Sequence, residues 1–436
     1  MMSRSYDAVV IGAGIIGCCT GYELAKRGYR TLNLDKLHGA GYGSTAASCA
    51  IVRFHYSTPE GVAMARESYF HWIDWPKYLG VRDEAGIAAY VNTGCLVIKT
   101  EKNHYLSTVM ACLDELQVAY RELDADGVKT FLPGLDTRTY GPPVRRGDPR
   151  FGEPTGDSIA GAIYVPESGY VDDPQLSCHN VQRACEAHGG EFRFGAEVVE
   201  VLKKNGRVAG VRLAEGAVIE AAVVVNVAGP HSTRINRMAG VEEGMKIKIR
   251  PAKHEVCHVP APIGVDWNSV GTITSDGDVG GYSRPQPGNF LLVGSEDPAC
   301  DPLDTIEDPD DYNANFSEQW STQVLRVAQR LPELPIPERP KGVVDLYDVS
   351  DDWIPVYDAS DLPGFYMAVG TSGNQYKNGP VAGKLMAELI LAVEAGHDHD
   401  RDPVRFELEL TRRELNLGFF SRLREVNRDS SFSVMG

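Results

Sequence analysis

"MMSRSYDAVVIGAGIIGCCTGYELAKRGYRTLNLDK", residues 1–36, runs through a short apolar stretch, a glycine-broken turn, a helical stretch and a second apolar stretch that ends on an acid. Ala8–Ile11 reads as a buried parallel strand, and Gly12, Gly14 and Gly17 spell G-x-G-x-x-G. Ile15–Arg27 has helical periodicity ending at Gly28, and Thr31–Leu34 reads as a second strand closed by Asp35. Each residue type has a physical reason to stand where it does. Gly12 permits the tight turn, and Gly14 lets backbone approach a pyrophosphate at the helix N-terminus. Gly17 packs helix on strand, and Asp35 can accept a ribose hydroxyl. With strand, helix and acid in register, the stretch predicts a dinucleotide-binding strand–helix–strand unit.

At 436 residues and 43% hydrophobic, the chain exceeds one ordinary core and predicts two domains built from non-contiguous segments. No apolar stretch reaches the roughly 18–20 residues that a bilayer crossing needs. The N-terminus passes directly into the nucleotide fold without a charged-then-apolar leader, so a cytoplasmic protein without a membrane span is expected. A net charge of −17, from 43 Lys and Arg against 60 Asp and Glu, offers no basic surface to nucleic acid or an anionic membrane. The nine cysteines are scattered, with no C-x-x-C. Only Cys18 and Cys19 adjoin, on a helix where their side chains diverge, so buried apolar thiols are expected and no metal site.

Further along, residues 38–80 begin as a glycine-rich loop facing the cofactor and become an amphipathic helix marked by Ala63, Tyr69, Trp72 and Trp75. "AAYVNTGCLVIKT" reads as a strand pair and His104–Gln117 as a helix, while 131–158, dense in Pro, Gly and charge, reads as a long loop or insertion. A helix over Pro174–His188, a strand near Glu191 and a hairpin across "KKNGRVAGVRL" lead to the apolar strand "AAVVVNVAGPHS". Its Ala-Gly end is a second close approach of backbone to cofactor. Lys246–Gly294 alternates like an antiparallel sheet, and Pro332–Pro340 is a proline-spaced connector. "GFYMAVGTSGNQYKNGPVAGKLMAELILAVEAG" then returns to strand, glycine-rich turn and long helix. The fold class is therefore α/β with an α+β second domain. A Rossmann-like nucleotide-binding domain (1–88, 159–240 and 341–395) is interrupted by an antiparallel-sheet substrate domain (89–158 and 241–340), with a tail at 396–436.

Four segments, "VVIGAGIIG", "GSTAASCAIVR", "VVNVAG" and "GFYMAVGTSGNQYKNGPVAGKLMAELI", stand in an order and at distances that resemble the D-amino-acid-oxidase-like family of FAD-dependent amine oxidoreductases, in its sarcosine oxidase and dimethylglycine dehydrogenase branch. The resemblance spans roughly residues 5–395 and implies FAD as the nucleotide. It implies that Gly12, Gly14, Ile15, Ile16 and Gly17 hold the pyrophosphate, with Asp35 and Lys36 at the adenosine ribose and Ser44, Thr45 and Ser48 beside it. Val198, Ala228 and Gly229 belong to the same cofactor set, and the turn carrying Gly370, Ser372, Gly373, Asn374, Gln375, Tyr376 and Lys377 would sit close to the flavin ring.

Departures from the family pattern carry information of their own. Relatives that attach FAD covalently use a His in the segment matching "GSTAAS", where Ala46 and Ala47 stand, or a Cys before the last strand, where "VVDLYDVSDDWIP" has none. Non-covalent FAD is expected. "GYVDDPQL" lacks the His by which some relatives hold a second flavin. The Lys that promotes reaction with oxygen in monomeric sarcosine oxidases aligns with Leu292 in "NFLLVGSED", which implies slow reoxidation in air and another electron acceptor.

The resemblance further assigns a substrate carboxylate to Arg53 and Lys377, and the chemistry agrees: a planar guanidinium takes a carboxylate bidentately and an ammonium adds a point charge. Asn374 and Gln375 replace a His-Gly of the relatives, so the polar wall differs. Tyr282, Arg284 and Glu296 are expected to face the flavin, Glu296 either pairing with a substrate ammonium or remaining in solvent. His55 and His254 are candidate acid–base groups. The expected activity is oxidation of the C–N bond of a secondary or tertiary amino acid of the sarcosine, dimethylglycine or cyclic imino acid type, by hydride transfer to flavin. The electrons would pass to oxygen or a redox partner. Oxidation of a 2-hydroxy acid on the same fold is the alternative. A third reading is a flavin-binding electron-transfer subunit of a larger complex, with the segment "TRRELNLGFFSRLREVNRDSSFSV" as its docking element; the alternative for that segment is packing on its own chain.

Overall fold

Ser5–Ile11 (β1) is a central strand of a largely parallel sheet in a computed structural model that describes residues 5–436. Residues 1–4, at the start of the expected first segment, lie outside the described residues. Ala8 and Val10 enter one core while Val9 and Ile11 enter the other, so both faces of the strand are covered and its apolar run is continuous rather than alternating. On one side β1 pairs in parallel with Thr31–Leu34 (β2), which pairs with Glu191–Arg193. On the other it pairs with Val218–Asn226, whose last residues pair in parallel with Phe365–Val369. The hairpin Val198–Lys204 and Arg207–Leu213 continues that edge antiparallel.

Between β1 and β2 runs the helix Ile15–Lys26 (α1), one residue shorter than the periodicity predicts because Arg27 serves as its C-cap. It packs against the helices Pro174–Ala187 and Gly379–Glu394. Glycines make the second contact possible: a Cβ on Gly383 would come within 2.7 Å of the Cys19 backbone, and one on Gly379 within 2.7 Å of the Ile15 side chain. The helix Pro59–Ile73 (α2), capped by Thr58, carries Ala63, Tyr69 and Trp72, whereas Trp75 opens a separate short helix, Trp75–Leu79.

A second sheet runs in the order Gly342–Ser350, Ile249–Pro260, Phe290–Ser295, Gly281–Gln286, Ile273–Asp276, Cys95–Ile98, Ala162–Val165 and Arg121–Leu123. It is antiparallel as expected except where Ile273–Asp276 lies parallel to Cys95–Ile98. Two of its strands come from segments read as nucleotide-binding. Gly342–Ser350 pairs with Ile249–Pro260 from Ile249↔Ser350 to Cys257↔Gly342, a ladder that overrides the nearby segment boundary, and Ala162–Val165 pairs with Cys95–Ile98. The expected strand pair in 88–100 does not form as a hairpin. Tyr90–Asn92 joins a small sheet with Ile51–Val52 and Gly169–Val171, while Cys95–Ile98 joins the large one.

His104–Gln117 is helical only over Ser107–Glu115, since His104, Tyr105 and Leu106 have positive φ. The 131–158 segment is irregular beyond Phe131 but anchored: Asp278 accepts from the Tyr140 and Gly141 backbone, and Arg330 donates to the carbonyls of Asp136 and Arg138. The tail folds on its own chain. Its hairpin Arg405–Leu408 and Arg413–Asn416 places Phe406, Leu408 and Leu415 in the main core. Arg422, buried, pairs with Asp358, Asp361 and Asp400. All nine cysteines are free thiols, and no helix among the described residues is long and apolar enough to cross a membrane.

Candidate active site

A cavity of about 480 Å³ runs between the two sheets. It begins at the C-terminal ends of β1 and β2, where parallel-sheet folds hold their ligands, passes the N-terminus of α1, and ends among Arg53, His55 and Lys377.

The glycines at its first end do what their positions predict. Gly12 has φ +114°, and a Cβ there would sit 2.3 Å from the Val227 carbonyl oxygen. Gly17 lies so close to the turn that a Cβ would meet the Gly12 oxygen at 2.1 Å. Gly14 is the N-cap residue of α1, and the first-turn N–H of Ile15 donates to the Thr45 hydroxyl at 3.2 Å. Thr45, expected beside the ribose, thus caps a helix from a distant segment. Asp35 accepts from the backbone N–H of Ala13 at 2.8 Å and of Leu37 at 2.9 Å, tying the glycine turn to the end of β2. Lys36 bonds His231 and pairs with Asp310, which also takes Arg234. Although burial acts the other way, the hydrogen bonds from Lys36, His231 and Arg234 hold the Asp310 carboxyl well below the usual range. Asp310 lies in an acidic loop outside both sheets, so this clasp lines the cavity in a way no motif announced.

Ile15, Ile16, Ser44, Ser48, Val198, Ala228 and Gly229 line the cavity, as do Gly373, Asn374, Gln375, Tyr376 and Lys377 at its far end. Gly370 and Ser372 do not. The Gly370 N–H donates to Asp348, the Ser372 hydroxyl bonds the Ser350 backbone, and both have positive φ, so they shape the turn from behind.

At the far end the side chains converge. Lys377 donates to the Tyr56 hydroxyl at 2.8 Å and the Asn374 carbonyl at 2.7 Å. Arg53 donates to the carbonyls of His55, Val434 and Met435 and stacks over the Tyr56 ring, 4.5 Å from its centroid. Among the described residues neither cation makes an ion pair. Both are more than nine-tenths buried, with relative exposures of 7% for Arg53 and 3% for Lys377. Burial, and then the Arg53 charge, push the Lys377 ammonium well below the ordinary lysine range.

His55 is buried beside them with no hydrogen-bond partner on either ring nitrogen among the described residues. Burial, reinforced by both cations, drives its pKa far down and keeps the ring neutral. Tyr282 lines the cavity, its hydroxyl 3.4 Å from the Cys49 sulfur and its ring seated where a Cβ on Gly294 would lie.

Glu296 stands one residue behind the wall. It is buried, contrary to the solvated alternative, and accepts from the Ser275 hydroxyl, itself a lining group, at 2.6 Å. Burial raises its carboxyl to about 7. Arg284 points elsewhere, over the Tyr170 ring, and His254 stacks on Tyr347 behind the wall. Leu292 pairs with Arg284 and His258 in the sheet and lies outside the cavity lining, so the wall gives no support to slow reoxidation in air argued from that position.

Three contributors escaped the sequence reading. Tyr56, three residues after Arg53 in "VRFHY", was legible as a neighbour of a named residue. Trp72, whose indole N–H donates to the Lys377 carbonyl at 2.7 Å, was read only as a marker of an amphipathic helix. The segment ending Val434-Met435 carried no signal.

The cavity suits an extended dinucleotide. A glycine turn stands at one end with Asp35 and Lys36 at the close of β2, and an apolar and tyrosine-lined far end adjoins Arg53 and Lys377. The sequence profile of the FAD dependent oxidoreductase family, DAO, matches residues 7–389. The glycine oxidase of Geobacillus kaustophilus is 25% identical over 408 residues, covering 91% of this chain and 96% of its own. Human peroxisomal sarcosine oxidase is 26% identical over 415 residues, covering 90% and 94%. Among solved structures, the L-proline dehydrogenase of P. horikoshii superposes with a TM-score of 0.75 at 20% identity, over 97% of this chain and 98% of its own.

Proposed function

The chain belongs to the DAO family of FAD-dependent oxidoreductases and is an enzyme with FAD as its cofactor, and from that premise we propose that it oxidises the C–N bond of a small secondary or tertiary amino acid. Arg53 and Lys377 carry this reading. They are two buried cations at one end of the cavity, and every hydrogen-bond acceptor they have there is a carbonyl or a hydroxyl. Buried charge without a counter-ion is costly, and a substrate carboxylate supplies the missing partner. The relatives named glycine oxidase, sarcosine oxidase and L-proline dehydrogenase support a substrate in which a carboxylate lies next to the amine carbon.

Bound FAD supplies a hydride acceptor. The residues of the first end would hold the dinucleotide: Gly12, Gly14 and Gly17 would admit the diphosphate, and Asp35 and Lys36 would stand toward the ribose. At the second end Arg53 and Lys377 fix the carboxylate, which orients the adjacent C–H bond and amine in the cavity. The amine must be neutral to release a hydride equivalent. His55, held neutral by burial and by both cations and with both ring nitrogens unbonded, offers a neutral ring nitrogen that accepts a hydrogen bond from the neutral amine. The Tyr282 ring lines the same end. Cys49 is the one cysteine lining the cavity, and burial raises its thiol pKa, which favours the unreactive thiol and supports non-covalent FAD.

A flavin-bleaching screen tests the reading. Anaerobic enzyme is mixed with N-methyl amino acids, prolines, glycine and 2-hydroxy acids while flavin absorbance is followed. Rapid bleaching by one of the amines is expected. Bleaching by hydroxy acids alone would transfer the same carboxylate cradle to alcohol oxidation.

A further inference from the structure

The end of the described chain occupies the place that the proposed function gives to substrate. Arg424 is paired with Asp352, and the Ser430 hydroxyl donates to the Asp352 carbonyl; from there the backbone turns into the cavity. The Val434 N–H donates to Asp297 at 3.3 Å. The carbonyls of Val434 and Met435 both accept from Nη2 of Arg53 at 2.8 Å. The Gly436 carbonyl accepts from the Ser57 backbone at 3.2 Å and from its hydroxyl at 2.7 Å, and the Met435 sulfur lies 3.9 Å from the Ser275 hydroxyl.

Two peptide oxygens therefore occupy Nη2 of the guanidinium, a nitrogen for which a substrate carboxylate would compete. The exchange is favourable in one direction. A carboxylate accepts from a guanidinium through charge-assisted hydrogen bonds about twice as strong as those to a neutral carbonyl. Besides Arg53, the segment is held by hydrogen bonds at Asp297, Ser57 and Asp352. Its apolar contacts are Val434 and Met435 against Ala252, Tyr347, Val349 and Trp353, while Phe432 is 44% exposed.

We infer that residues 430–436 are a substrate-displaced gate: the Val434 and Met435 carbonyls hold Arg53 until the carboxylate of the substrate takes their place, and the segment then withdraws from the Arg53 end of the cavity. The inference rests on the reading of Arg53 as the carboxylate holder, and the experiment separates the two. The probe is methoxyacetate, a carboxylate without an amine, added to the FAD-loaded enzyme. Its binding is followed by the flavin spectrum in wild type and Arg53→Ala, and hydrogen exchange of the peptide covering 430–436 is followed in wild type.

The expected result is a spectral change lost in Arg53→Ala, with exchange in 430–436 accelerated at least ten-fold at saturation. A chain ending at Asp429 is expected to bind methoxyacetate at least ten-fold tighter with unchanged FAD content. If that chain does not fold, exchange in the intact protein decides. An Arg53-dependent spectral change with exchange unchanged or slowed overturns the gate and leaves the carboxylate reading standing. No Arg53-dependent spectral change overturns both.

Discussion

Arg53 and Lys377 share the Tyr56 ring, which lies 4.5 Å from the Arg53 guanidinium carbon and 5.0 Å from the Lys377 nitrogen. Replacing either cation with Ala removes a charge-assisted contact worth about 1.5–3 kcal/mol. Substrate KM in steady-state assays is accordingly expected to rise about ten- to hundred-fold with FAD content unchanged; an unaltered KM would exclude that residue from the carboxylate site. Glu296 gives a prediction in the other currency of the site. Its carboxyl is raised to about 7 by burial, so the folded state keeps a proton that the unfolded chain releases near 4.5. The stability tied to that proton is present below the unfolded value and is lost as pH rises through about 7, by at most about 3 kcal/mol. Glu296→Gln does not titrate. Its stability relative to wild type, measured by denaturant unfolding, is expected to be greater at pH 8 than at pH 5, and a pH-independent difference would contradict the assignment. At this scale the sequence showed which residues bear charge and stand near glycines. It did not show Glu296 as buried, because that depends on Ser275 and the neighbouring sheet rather than on its own flanks.

The unit β1–α1–β2 was readable almost residue by residue, because strand, turn and helix are each set by local chemistry and Asp35 closes the turn from close by in sequence. Gly12→Ala tests that unit. A side chain there meets the Val227 oxygen at 2.3 Å and a φ of +114°, so a cost of about 1–3 kcal/mol and loss of most bound FAD are expected on purification. Full FAD content in that variant would remove the turn from the cofactor site. Gly383→Val should instead separate α1 from the helix Gly379–Glu394, since the new Cβ meets the Cys19 backbone. The expected loss of stability is about 1–3 kcal/mol, with FAD retained on refolding. Elements fixed by distant partners were harder to read. Cys95–Ile98 and Tyr90–Asn92 look like a hairpin locally, yet each finds its partner elsewhere, and Gly342–Ser350 follows a long ladder across the expected boundary.

Across the whole molecule, the cavity lies between two sheets, with the acidic loop at Asp310 lining one end and Val434 and Met435 lining the other. Neither of these segments has a periodic or motif signature. Each has its place set by the cations it reaches, which is why the tail read either as a docking element or as packing on its own chain, with no place assigned to it. FAD enclosed this way without an attachment point, between Ala46, Ala47 and a buried Cys49 thiol, is expected to be released intact by acid, leaving no flavin fluorescence on the denatured band. The proposed activity requires that a carboxylate-bearing amine reduce the flavin through Arg53. The most direct measurement is anaerobic stopped-flow bleaching of the flavin by the best amine of the screen, in wild type and Arg53→Ala at matched FAD content. Saturable bleaching whose half-saturating concentration rises at least ten-fold in the variant is the result expected; equal bleaching in both proteins, or none with any carboxylate-bearing amine, would contradict it.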